Sequence, residues 1–278
     1  MKWSLVLLAS LATGCTQRLL VGLPADITKT DSVVGLGTQG KSDLLFMVDN
    51  SPSMDAMQAE LRARFPQLIQ TLSGLNAGGT LDLHIGVVTS DYGAGDTAGG
   101  GCSASPGGQN GLLQALGADA DADCQAPTGA PYIAYAVGAG GDVVSNLPAG
   151  QDLPTTFTCM ASVGSAGCGF EHQLESVYAA LHNTVENSGF LRDDATLAVV
   201  FLTNEDDGSA PPDAKFYESA ADVNVYGAYD TFRQTRFAIE CSGMSIPYGN
   251  DVDGTLANCV AAPANVGLAY DVSRYADM

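Results

Sequence analysis

Three stretches of this chain are apolar at nearly every position rather than at every second one. They are residues 43–48 (Asp-Leu-Leu-Phe-Met-Val), Leu81–Thr89 and Thr196–Leu202. A strand with one solvated face alternates apolar and polar side chains. A strand that is apolar on both faces must be covered on both, which is the situation of a central parallel strand between helices. The intervening sequence supplies such helices. Met54, Met57, Leu61, Phe65, Leu68, Ile69 and Leu72 recur at helical spacing over 54–72, and Leu174, Val177, Tyr178 and Leu181 do so over 174–185. A further helix is expected over 226–237. Strand and helix in alternation imply an α/β fold with a doubly wound, mostly parallel sheet flanked by helices. Such a sheet calls for another strand and helix beyond residue 270, so the chain reads as truncated at its C-terminus.

Between the second run and the helix at 174 the composition changes. Residues 92–167 are rich in Gly, Ala, Asp and Pro and carry three cysteines, with a fourth, Cys168, directly after them, and they hold one convincing strand at 132–137. This stretch reads as a disulfide-stapled loop insertion within a domain spanning 42–278.

The N-terminus reads as an export signal. Lys2 precedes an apolar run from Trp3 to Ala12, about half the length of a membrane-spanning helix. Ala12-Thr13-Gly14-Cys15 then resembles a bacterial lipobox, which implies a signal peptide over 1–14 and lipidation of Cys15. An ordinary signal peptide with an incidental cysteine is the alternative. Thr16 after the cysteine favours the outer membrane, and residues 15–41 read as the lipidated cysteine and a flexible tether.

Six further cysteines remain: Cys102, Cys124, Cys159, Cys168, Cys241 and Cys259. An even number in an exported chain reads as disulfides. Pairing of sequence neighbours, Cys102–Cys124, Cys159–Cys168 and Cys241–Cys259, is the simplest of the fifteen arrangements. There is no Cys-x-x-Cys, and only His84, His172 and His182 are available, which argues against zinc. The balance of 31 acids against 11 bases excludes nucleic acid as a partner.

The segment that carries chemistry is Asp49-Asn50-Ser51-Pro52-Ser53-Met54, at the carboxyl end of the first strand and just before a helix. Ligands bind at that edge of open α/β sheets. One carboxylate and two hydroxyls at alternate positions are hard oxygen donors, suited to Mg²⁺, with Ca²⁺ or Mn²⁺ as alternatives.

This strand–Asp-x-Ser-x-Ser–helix pattern resembles the metal-ion-dependent adhesion site of von Willebrand factor A-type (vWA) domains. The resemblance implies a protein-binding module in which the metal keeps one position open for an acid of the partner. It also implies two more metal-binding loops. The family's aspartate after a later strand falls here on Asn204, followed by Glu205 and Asp206. The family's threonine falls near Gly169-Phe170-Glu171, where Glu171 is the substitute. The expected site is therefore Asp49, Ser51, Ser53, Asn204, Glu205, Asp206 and Glu171.

Other acids read differently. Asp119, Asp121 and Asp123 alternate like the start of a calcium loop, but Cys124 stands where that loop needs glycine, so a solvated turn is expected. Asp91 ends the second strand at the edge shared with Asp49. No nucleophile elbow, HExxH, Walker loop or dinucleotide fingerprint occurs, so the chain is not expected to be an enzyme. The expected function is a lipid-anchored cell-envelope protein that binds a protein ligand through a metal-centred face. A structural lipoprotein with a degenerate, metal-free domain is the alternative, with a metal-assisted hydrolase third.

Overall fold

A computed structural model describes residues 40–75, 80–94, 102, 107–218, 220–227, 232–245, 256–263 and 268–276. The expected export signal, Cys15 and the expected tether up to residue 39 lie outside the described residues. The three doubly apolar runs lie side by side in a five-stranded sheet, but only the first two are internal. The third is its edge strand, half-buried and with Val200 and Phe201 exposed, so the expectation of a strand covered on both faces does not hold there among the described residues. β1 (Lys41–Val48) lies between β2 (Leu81–Thr89) and β5 (Thr196–Leu202) and is parallel to both. Beyond β2 the direction reverses. β3 (Ile133–Val137) and β4 (Val143–Ser145) continue the sheet as an antiparallel hairpin, in the order β4-β3-β2-β1-β5.

Alternate residues of β1 feed two separate cores. Leu44, Phe46 and Val48 face α1 (Asp55–Leu75) and α2 (Leu153–Ala161), packing with Phe65, Phe157 and Met160. The Phe157 ring stacks on Phe65 at 3.7 Å between centroids and meets the edge of Phe46 at 4.9 Å. Leu45 and Met47 face α3 (Gln173–His182), packing with Val177, Ala180 and Phe190. Helices thus cover both faces, which is why β1 has no polar residue from Leu44 to Val48.

Three further expectations need correction. Residues 92–167 are not a loop throughout, because α2 lies within them and its buried Leu153, Phe157 and Met160 complete the α1-side core. Asp152 caps this helix by accepting from Thr155 N at 2.9 Å, and Pro154 sits in its first turn. The neighbour pairing of cysteines holds only for Cys241–Cys259; the other bridges are Cys102–Cys168 and Cys124–Cys159. Cys159 is fixed on α2, and residues 117–119 run beside that helix, with Gly117 N donating to Cys159 O and Asp119 N to Ser162 O. That brings Cys124, not Cys168, within reach.

The helix expected over 226–237 is two shorter ones, α4 (Val223–Tyr226) and α5 (Phe232–Ala238). Gly227, at φ 80°, ends the first in a conformation that glycine adopts without strain. A small second sheet follows, β6 (Ile239–Cys241) between β7 (Met244–Ser245) and β8 (Cys259–Ala261). The described chain ends in α6 (Ser273–Ala276), held to α3 where Arg274 donates to both carboxylate oxygens of Glu175.

Candidate metal centre

The sheet register determines what surrounds Asp49. Val48 is level with Thr89 of β2 and Leu202 of β5. One residue further along each strand lie Asp49, Ser90 and Thr203, in a row across the carboxyl edge. Ser90 Oγ donates to Asp49 Oδ1 and Thr203 Oγ1 to Asp49 Oδ2, both at 3.0 Å. Ser51 N donates to Oδ1 at 2.8 Å, closing the loop back on its first residue. The Asp49 carboxylate is fully buried. An ionised carboxylate offers about four acceptor sites, and these three donors leave one for another ligand.

The loop is held from behind as well. Met54 N donates to Ser51 O, and α1 starts at the next residue. Gln58, one turn into α1 and buried, donates to Asp49 O at 2.9 Å and to Gly164 O at 2.8 Å. Its carboxamide ties the backbone at Asp49 to the segment that leads into Glu171.

That segment is fixed at several points. Gly167 N donates to Asn50 O, His172 N to Ser90 O, and Gly208 N to Glu171 O. Gly167 packs flat against Asn50, so that a Cβ there would lie 2.3 Å from Asn50 Oδ1. The Cys102–Cys168 bridge anchors the same stretch. Glu171 is delivered next to Asp49 with only 2% of its surface exposed. Burial, and then the charges of Asp49 and Glu205, push its carboxyl up to about 8. Ser51 acts on it in the opposite sense, yet no well-formed hydrogen bond joins them: Ser51 Oγ and Glu171 Oε2 are both buried without a partner.

These orphaned oxygens beside Asp49 are the observation against which a metal is tested. Two carboxylates and a hydroxyl, all hard donors that protein groups leave incompletely satisfied, fit a small divalent cation. Ser53 and Asn204 lie at the exposed rim, where Asn204 Nδ2 donates to Ser53 Oγ at 2.9 Å. Glu205 is exposed and acts on Glu171 through its charge. Asp206 is set apart: it lines a groove with Leu174, Phe237, Tyr270 and Val272. Asp207 caps α3 by accepting from Leu174 N. Among the described residues, no group of three or more His, Cys, Asp or Glu side chains is placed to hold a metal. A cation here would depend on serine oxygens as much as on acids.

Ser90, Thr203 and Gln58 were absent from the expected site. The first two follow from the apolar runs once those are aligned, since each is the first or second polar residue past its strand. Asp91 faces the insertion: Gln109 N and Asn110 N donate to its backbone oxygen and Gly93 N to its side chain. His172 is fully buried beside the Tyr217 hydroxyl, and burial lowers its pKa to about 4, so it is neutral. Asp119, Asp121 and Asp123 are exposed, as expected of a solvated turn. Comparison with protein-family models, with curated proteins and with solved structures returned no match.

Proposed function

We propose that this chain is an exported, lipid-anchored vWA-type domain that binds a divalent cation, Mg²⁺ first among candidates, and recognises a protein through that face. Its place would be the cell envelope, at the outer membrane, with Cys15 as anchor. It is a binding module rather than an enzyme. The observation that carries the reading is the buried Asp49 carboxylate with Ser51 Oγ and Glu171 Oε2 beside it, both lacking hydrogen-bond partners. Asp49, Ser51 and Glu171 would hold the cation, with Ser53, Asn204 and Glu205 at the rim. The bound cation would supply a fixed positive charge and ordered water.

Calorimetry of Mg²⁺ and Ca²⁺ binding to wild type and Asp49→Ala tests it. Binding by wild type that is lost in the variant supports the reading. Equal binding by both, or none by either at millimolar metal, refutes it. Capture of envelope proteins with and without chelator then tests whether recognition needs the cation.

One observation favours a metal-free alternative. Asp49 already receives three hydrogen bonds from the protein, which would satisfy most of a buried carboxylate in a purely structural domain.

A further inference from the structure

In the vWA pattern the third loop brings a threonine, a neutral ligand, and the metal's open position is left for a partner's acid. Here the corresponding loop brings a carboxylate. Glu171 is buried, and its Oε2 has no protein partner. Its backbone cannot swing away, because His172 N is bonded to Ser90 O, Gly208 N to Glu171 O, and Gly167 N to Asn50 O. Charge counting then gives a definite result. With a cation bound between them, Asp49 and Glu171 as carboxylates would contribute two negative charges, which a divalent cation neutralises. A third carboxylate entering from outside would be uncompensated, next to Glu205 and on a chain of formal net charge −20. Burying unpaired like charge is strongly unfavourable.

Resting on the metal-centre reading above, we propose that Glu171 supplies from within the chain the acid that the vWA pattern takes from its partner. The cation is then resident, and the partner at this face is basic. The exposed Glu205 beside the site, which no cation in the site neutralises, is the contact for that partner.

The test uses the full chain, stripped with chelator and reloaded with Mn²⁺, whose bound exchangeable waters are read by water-proton relaxation. Wild type should bind Mn²⁺, and neither acetate nor tetraglutamate should reduce its bound water. Glu171→Thr should weaken Mn²⁺ binding by at least about tenfold, raise the bound water, and let acetate displace it. Should Glu171→Thr fail to fold by circular dichroism, Glu171→Gln carries the affinity arm. Tetralysine should bind loaded wild type and bind Glu205→Gln measurably more weakly, by up to about fivefold, the most that one surface charge pair contributes.

Displacement of Mn²⁺-bound water by acetate in wild type overturns the inference, as does unchanged Mn²⁺ affinity in Glu171→Gln; either leaves the metal centre standing. Tetralysine binding that ignores Glu205 overturns the basic partner. Absence of Mn²⁺ binding in wild type and Asp49→Ala alike removes the metal centre, and this inference with it.

Discussion

In metal-free protein Glu171 makes stability depend on pH in an unusual direction. A carboxyl whose folded pKa lies above its unfolded value binds more protons in the native state, so stability falls as pH rises through the gap. With the folded value near 8 and the ordinary value at 4.5, Glu171 lowers stability continuously across that window. His172 opposes it in part. Its folded value of about 4 lies below the ordinary 6.5, so its contribution is complete above pH 6.5 and is lost as pH falls towards 4. Between pH 6.5 and 8 the Glu171 effect is therefore isolated from that of His172. At about 1.4 kcal/mol per pH unit, tapering as the group ionises, wild type should lose about 1.5 kcal/mol over this interval. Urea unfolding at fixed ionic strength, with disulfides intact and chelator present, followed by circular dichroism, measures it. Glu171→Gln should flatten the profile between pH 6.5 and 8 and leave the acid limb intact. A wild-type profile that is flat or rising there, or a variant with the wild-type slope, would refute the account of Glu171 as a buried, destabilised carboxyl.

Other consequences follow from packing and connectivity. Phe157→Ala removes the ring that joins α2 to Phe46 and Phe65 and should cost about 3–5 kcal/mol, read from the denaturant midpoint. Non-reducing peptide mapping should recover Cys102–Cys168 and Cys124–Cys159, and replacing both Cys124 and Cys159 by Ala should lower stability by about 2–4 kcal/mol. Asn187 is buried and bonds Leu113 N, Gly111 O and Ala180 O. Asn187→Ala strands all three and should cost at least about 2 kcal/mol in the same assay.

The fold was legible where one physical constraint dominated. β1 and β2 stand out because strands covered on both faces can carry little but apolar side chains, and α1 and α3 because their buried stripes have helical spacing. The same apolar pattern in β5 identifies a strand but not its place, since it is the half-exposed edge of the sheet. α2 was obscured by the company it keeps. Judged with the Gly- and Asp-rich residues around it, it reads as loop, although Leu153, Phe157 and Met160 at i, i+4 and i+7 behind an Asp-x-Pro start are a helix signal. The cysteine pairing was illegible for a different reason. Loop closure favours near neighbours only weakly, and the rigid placement of Cys159 on α2 outweighs that preference.

The site divides along the same line. Asp49, Ser51 and Ser53 lie in one short loop, and local sequence suffices to group them. Ser90 and Thr203 belong to the site only through register, 41 and 154 residues from Asp49 in sequence. Their part is also the opposite of an acid's: each hydroxyl donates its proton to Asp49, so each stabilises the negative charge and uses one of the carboxylate's acceptor positions. The Asn204–Asp206 run shows how proximity in sequence misleads. Thr203, last in register with the strands, turns inward to Asp49, while Asp207 turns towards the start of α3. The residues between them must cross from one direction to the other, which leaves Asn204 and Glu205 at the rim of the site and Asp206 in the neighbouring groove. An acidic run next to this loop therefore brings fewer carboxylates to the candidate site than it contains. The second carboxyl beside Asp49 is instead that of Glu171, on a loop whose position is held by Gly167 against Asn50 and by the Cys102–Cys168 bridge.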